Sequence, residues 1–129
     1  MKLKRDMELV RKILFIIEEK YIDVTLLNSD IQIKGYDMEA IGYHCSILND
    51  AGLISSYKGY YASNKLYSFG VGRLTWEGHE LLDKIRSDTV WKRTKDAIIK
   101  KGIPFVLDAI KEIATAITAE MIKKAILGT

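Results

Sequence analysis

The sequence predicts an α+β domain followed by a helical extension, and three observations carry that prediction. Apolar residues recur at helical spacing near the start, in the middle and through the second half of the chain. Residues 53–74 instead read as two short strands joined by turn residues. The 129 residues contain one proline and nine glycines, a composition typical of a compact domain without a long disordered linker.

The first predicted element is a helix from about Asp6 to Lys20, with a broad apolar stripe along one side. Asp6 is its expected N-cap, because a carboxylate accepts hydrogen bonds from the free N–H groups of the first turn. The following segment is less regular. Alternation over 31–35 predicts a short strand, whereas 24–27 reads either as a strand or as one helical turn.

A second helix is predicted over 38–51, with Asp37 as its N-cap and Gly52 as a left-handed end. Its buried face is expected to hold Ile41, Cys45 and Leu48, which recur at i, i+4 and i+7. The opposite face consists of four polar residues: Glu39, Tyr43, Ser46 and Asp50.

Two strands follow, one beginning at Leu53 and one spanning 66–74. Residues 58–59 and 63–65 are candidate turns, and the glycines within 70–72 predict a β-bulge. A basic, tyrosine-rich hairpin directly after a helix is the order expected of a wing. The sequence therefore predicts a winged helix-turn-helix-like domain over residues 1–87 with a C-terminal helical extension over 88–129.

The second half of the chain is predicted to be helical. The three predicted helices span residues 76–86, 88–101 and 103–127. Thr75 and Asp88 are the expected caps of the first two helices, and Pro104 is placed in the first turn of the third, where its missing N–H costs little. Trp76 and Trp91 are expected to be buried anchors.

Three segments of the chain closely resemble domain of unknown function family 2513, an uncharacterised bacterial and phage family. These segments are RDMELVRKIL, IGYHCSILNDAGLI and RLTWEGHELLDKIRSDTVWKRTK. The resemblance covers nearly the whole chain and implies a winged-helix-like fold in a family often found in prophages and mobile elements. It implies no activity and assigns no functional residues.

The distribution of charge suggests nucleic acid as a partner. The net charge is only +3, but residues 58–74 carry three cations and no acid, whereas 21–57 carry one lysine against five acids. We expect a DNA-binding transcriptional regulator of phage or mobile-element type, with these residues contacting duplex DNA: Tyr43, Ser46, Lys58, Tyr60, Lys65 and Arg73. Cations near the start could extend the patch: Lys2, Lys4, Arg5, Arg11 and Lys12.

The second helix also supports an alternative. It carries no Lys or Arg, and acidic side chains on its outer face would repel phosphates. The alternative is a protein-interaction module that binds no nucleic acid and uses Glu39, Tyr43 and Asp50 as its partner face.

Catalytic, metal and cofactor sites are not expected. His44 and His79 are the only histidines, Cys45 falls on a core face, and no P-loop or dinucleotide-binding motif occurs. The single cysteine excludes an intrachain disulfide, and no apolar run approaches the length of a membrane span. We therefore expect a cytoplasmic protein that is not an enzyme. Its helix at 103–127 is expected either to pack back on the domain or to pair with its copy in a homodimer.

Overall fold

A computed structural model describes residues 3–128, which form two compact units divided between His79 and Glu80. Lys2 lies outside the described residues. Within this range the secondary structure consists of α1 (Met7–Lys20), β1 (Leu26–Leu27), α2 (Met38–Asp50), β2 (Tyr57–Ala62), β3 (Lys65–Val71), α3 (Trp76–Ile85), α4 (Asp88–Lys101) and α5 (Leu107–Leu127), with a 3-10 turn at Asn28–Asp30. The strands form an antiparallel sheet in the order β1-β3-β2. The predicted α+β class is confirmed.

Helices α1 and α2 begin at the predicted caps. The Asp6 carboxylate accepts from the N–H groups of Glu8 and Leu9, and the Asp37 carboxylate accepts from Ala40. Each helix buries one face, as its periodicity predicted. In α2 that face includes the predicted set and two further residues: Ile41, Gly42, His44, Cys45 and Leu48.

The hairpin turns at Ser63 and Asn64, whose φ angles of 51° and 65° are left-handed, as in the tight turns that match strand twist. The alternative turn at 58–59 was wrong, because both residues lie within β2 and pair with β3. The continuous strand begins at Tyr57, later than the predicted start at Leu53, although Ile54 forms an isolated antiparallel bridge with Leu74.

The β-bulge lies elsewhere than predicted. Tyr60 pairs with Ser68 and Tyr61 with Leu66, so Tyr67 is an extra residue in β3. Beyond this residue the alternation of β3 changes phase. Leu66 consequently points to the same face as Phe69, and both approach the Gly42 backbone on α2. The glycines within 70–72 lie in or beside a regular part of the ladder.

The strand predicted over 31–35 does not form. Directly after β1, the edge of β3 bonds instead to Asn28, whose side-chain oxygen accepts from the Ser68 hydroxyl at 3.0 Å and the Phe69 N–H at 3.3 Å. The chain then turns at Gly35, where φ is 91°. Ile31 is nevertheless buried, so the alternation reflected burial in a loop.

In the second unit, α4 and α5 form a helical pair whose boundaries differ from those predicted. Ser87, one residue before the expected cap, accepts from Val90 N–H and begins α4. Pro104 lies outside α5, because its carbonyl accepts from Val106 N–H in a tight turn that helical geometry excludes. The last helix therefore begins at Leu107 and not at residue 103.

The two tryptophans have opposite environments. Trp91 is buried as expected, but Trp76 is 74% exposed, so its prediction as a core anchor was wrong. The reason is angular, because the buried positions of α3 follow one helical stripe that excludes residue 76. That stripe consists of Gly78, Leu81, Leu82 and Ile85.

Candidate functional site

A groove of about 340 Å³ separates the exposed face of α2 from the inner face of the hairpin. Both walls belong to the first unit. The groove is lined by Leu3, Glu39, Tyr43, Ser46, Tyr57, Tyr61, Asn64, Lys65 and Leu66. It therefore combines hydroxyl groups, aromatic rings, one acid and one cation in a single concave surface.

Helix α2 places its polar residues along one wall of this groove. Glu39, Tyr43 and Ser46 recur at i, i+4 and i+7, which sets them on one helical face. Asp50 is exposed at the end of α2 but does not line the groove. The helix wall thus offers two hydroxyl groups and one carboxylate.

The hairpin wall approaches α2 closely because Gly42 has no side chain. A Cβ at Gly42 would lie 2.6 Å from a methyl carbon of Leu66 and 3.2 Å from the Phe69 ring. Tyr57 and Tyr61 line the same wall. Burial, followed by the effect of the neighbouring Tyr61, raises the pKa of Tyr57 to about 12, so this phenol remains a hydrogen-bond donor at neutral pH.

The two hairpin lysines lie on different sides. Lys65, at the turn, lines the groove. Lys58 alternates with the groove-facing residues of β2, and its ammonium group lies 5.4 Å from the ring centroid of Tyr60. The Tyr60 ring in turn lies 6.5 Å from that of Tyr67, so the outer side of the hairpin is also aromatic and basic.

Arg73 lies at a different cavity. It lines a pocket of about 360 Å³ together with Glu18, Tyr21 and His79, and its guanidinium donates to the Leu74 carbonyl at 3.1 Å. The structure therefore brings Glu39, Tyr43, Ser46 and Lys65 to one groove and leaves four of the proposed contact residues outside it. Those four are Lys58, Tyr60, Arg73 and Asp50.

A connection between His44 and the start of α1 was not predicted from the sequence. His44 Nδ1 donates to the Ala40 carbonyl at 2.7 Å, so Nε2 is free to accept the Asp6 N–H at 2.8 Å. This bond fixes the segment before α1 beside α2, and Leu3 lines the groove. Two features of the sequence could have indicated this contact: the predicted cap at Asp6 and the position of His44 beside the apolar face of α2.

The segment fixed in this way is basic. Lys4 and Arg5 follow Leu3 directly and are exposed. Two other cations of the predicted patch lie over aromatic rings farther along α1, with Arg11 over Phe15 and Lys12 over Tyr36. The positive charge nearest the groove therefore comes from the hairpin turn and from the residues before α1.

Cys45 and His44 are both engaged away from the groove. Cys45 is fully buried, and this burial raises the pKa of its thiol to about 12. Both ring nitrogens of His44 bond to backbone groups. No cluster of three or more His, Cys, Asp or Glu side chains suited to a metal occurs in residues 3–128, and no helix there meets the length and hydropathy of a membrane span.

Comparison with known proteins identifies the family. An uncharacterised protein of Haemophilus influenzae is 41% identical over 120 residues, which cover 93% of this chain and 99% of that protein. No solved structure matches the chain at a significant level. The family model described as "Hypothetical protein (DUF2513)" matches residues 4–104. The chain belongs to the DUF2513 family.

Proposed function

We propose that this protein is a winged-helix DNA-binding regulator, which acts by binding duplex DNA and performs no catalysis. In this proposal α2 is the recognition helix and the β2–β3 hairpin is the wing. The observation that carries it is the shared groove, in which the polar face of α2 and Lys65 of the hairpin face the same space.

The topology supports the winged-helix assignment. The elements follow the order α1, β1, α2, β2, β3, so the hairpin directly follows a helix, which is the order expected of a wing, and β3 pairs with both β1 and β2. Between β1 and α2 the chain has one 3-10 turn at Asn28–Asp30 and a loop. Fold alone assigns no function, so the proposal depends on the chemistry of the groove.

In this proposal some groups of the groove contact phosphates and position the protein on DNA, whereas others contact base edges and recognise the sequence. Lys65 at the hairpin turn and the basic segment around Lys4 and Arg5 supply charges that neutralise phosphates. Tyr43 and Ser46 supply hydroxyl groups that donate to or accept from base edges in the major groove. A carboxylate such as Glu39 suits recognition of a cytosine amino group, which donates a hydrogen bond.

In this proposal neither Cys45 nor His44 has a catalytic role. A nucleophilic cysteine must reach its substrate as a thiolate, but burial holds this thiol protonated at neutral pH. His44 is similarly committed to backbone groups on both nitrogens. These two side chains therefore serve packing and positioning.

The first test is fluorescence anisotropy of the protein with a labelled random-sequence duplex at several salt concentrations. We expect affinity to fall steeply with salt, because each neutralised phosphate contributes a slope of about −0.9 in a plot of log affinity against log salt. The absence of binding at low salt would reject the proposal.

Charge-reversal variants locate the contact. Lys58→Glu with Lys65→Glu is expected to lower DNA affinity by about tenfold or more and to reduce the salt slope by roughly one to two units. The matched control is Lys92→Glu with Lys100→Glu, which changes the same net charge on exposed positions of α4. Equal losses in both variants would assign binding to overall charge and not to the hairpin.

A specific observation also favours a second function. Helix α2 carries no Lys or Arg, and both Glu39 and Asp50 are exposed on it. These features suit a basic protein partner in place of DNA. If the protein failed to bind any duplex, the same α2 face would be the site to test against candidate protein partners.

A further inference from the structure

Helix α5 carries a second regular face beside its buried one. The buried face consists of Ile110, Ala114 and Ile117. The second face follows a repeat of alternating three and four residues, the spacing of a helix seam. Its members are Ala109, Glu112, Ala116, Ala119, Lys123 and Ile126.

This second face has no partner among the described residues that would bury it. Every residue of α5 after Thr118 is exposed, and Ile126 is 75% exposed. Ala116 and Ala119, in the middle of the face, are exposed as well. The face therefore offers small side chains at its centre and an exposed isoleucine near one end.

The face matches itself when two copies run antiparallel. Around a two-fold axis between residues 117 and 118, Ala116 lies opposite Ala119 of the partner subunit. Glu112 then lies opposite Lys123 of the partner subunit, and Ala109 lies opposite Ile126 of the partner subunit. All three pairs fall in one register, and symmetry produces each pair twice.

We propose that α5 forms an antiparallel helix pair with α5 of a second copy of this chain. The alanines at the centre let the two helix backbones approach closely. The ion pairs between Glu112 and Lys123 flank this centre, and Ile126 covers the small Ala109 at each end. Large side chains therefore meet small ones, and each charge meets its opposite.

Charge selects the antiparallel arrangement over a parallel one. A parallel pair would place Glu112 beside its own copy and Lys123 beside its own copy, which sets like charges together. Within one helix, Glu112 and Lys123 are separated by about 16 Å and cannot pair with each other. In the antiparallel pair, by contrast, each Glu112 lies opposite Lys123 of the partner subunit.

A neighbouring groove provides room for the second helix. It lies between α4 and α5, has a volume of about 690 Å³, and is lined in part by Ala109, Glu112 and Ala116 of the proposed face. The α4 side contributes Ala97 together with exposed charged residues, among them Asp96 and Lys101. A helix laid on the α5 face would cover this groove.

The test is sedimentation velocity of the full-length protein from about 1 μM to about 100 μM, without DNA. The wild type is expected to shift from monomer to dimer over this range. Lys123→Glu alone and Glu112→Lys alone each place like charges opposite one another, and each should raise the dimer dissociation constant by about tenfold. The double variant Glu112→Lys with Lys123→Glu restores opposite charges and should recover most of the dimer.

Lys111→Glu is the matched control, because it changes the same charge on the same helix but lies off the proposed face. A wild type that remains monomeric throughout would overturn the proposal, as would a double variant no better than the single ones. An equal loss in the Lys111→Glu control would do the same. Since no DNA is present, either result leaves the proposed DNA binding untouched.

A disulfide variant tests the register directly. Ala109→Cys with Ile126→Cys should form a disulfide-linked dimer under mild oxidation, whereas each single variant should not, because equivalent positions lie far apart in the antiparallel pair. The native Cys45 is fully buried and does not compete. Cross-linking of the single variants with the same yield would contradict the register.

Discussion

Helices α2 and α5 are both amphipathic, but they use their apolar residues differently. Of its 13 residues α2 buries five, and its exposed face lines a groove. Of its 21 residues α5 buries three, none beyond Ile117, although apolar residues continue to Leu127. Helical periodicity therefore shows which face of a helix an apolar residue lies on, but not whether other residues of the same chain bury that face. The uncovered positions are where an interface is to be sought.

The largest expected effect is a difference in the free energy of unfolding between the same substitution, isoleucine to alanine, made in α2 and in α5. Ile41→Ala, on the buried face of α2, should lower the free energy of unfolding by about 3 kcal/mol, because it removes packed atoms and leaves a cavity. Ile126→Ala, on exposed α5, should change it by less than about 0.5 kcal/mol in dilute protein. Urea unfolding followed by tryptophan fluorescence measures both, and similar losses in the two variants would remove the contrast.

The next prediction concerns pH and the buried face of α2. Burial raises the pKa of the Cys45 thiol from 9.0 to about 12, so between these values only the unfolded chain loses this proton. The free energy of unfolding should be unaffected by this group below pH 9.0 and should fall above it. The slope contributed by this thiol is at most about 1.4 kcal/mol per pH unit.

Cys45→Ala isolates that contribution from other groups that titrate at high pH, including Tyr57, whose pKa is also raised. The variant should start from a lower stability but lose less of it between neutral and alkaline pH. Parallel pH profiles for variant and wild type would show that the thiol is accessible to water.

The smallest expected effect concerns the exposed face of α2. Glu39→Lys with Asp50→Lys should change stability little, because both side chains are exposed. On the DNA proposal the double variant binds random duplex several-fold more tightly, since two charges that repel phosphates become attractive. Anisotropy against the same random duplex measures this nonspecific term, and unchanged or weaker binding would contradict the placement of the α2 face against DNA.

Sequence reasoning succeeded where one signal dominated the local structure. The N-terminal caps at Asp6 and Asp37 and the stripes they precede determined α1 and α2. It failed over 31–35, where alternation predicted a strand and a loop forms. Directly after β1, the edge of β3 bonds to the side chain of Asn28 and not to a further strand, which the pattern at 31–35 does not indicate.

The groove was partly predictable. The spacing of Glu39, Tyr43 and Ser46 placed them on one helix face, and strand alternation could have separated Lys58 from the groove-facing Tyr57 and Tyr61. The position of Arg73 at another pocket depends on the chain path around α1, which local patterns do not encode. The contribution of the residues before α1 depends on one long-range hydrogen bond to His44.

The extra residue at Tyr67 has a consequence for how relatives of this chain should be aligned. Because β3 changes phase at that residue, the hairpin tip and the hairpin base follow opposite odd–even patterns. If a relative lacks this residue, an alignment without a gap still matches strand to strand, but it shifts the tip residues by one position. It then compares side chains that lie on opposite faces of the hairpin. Substitutions at the tip are therefore comparable between relatives only after the presence of this residue has been established.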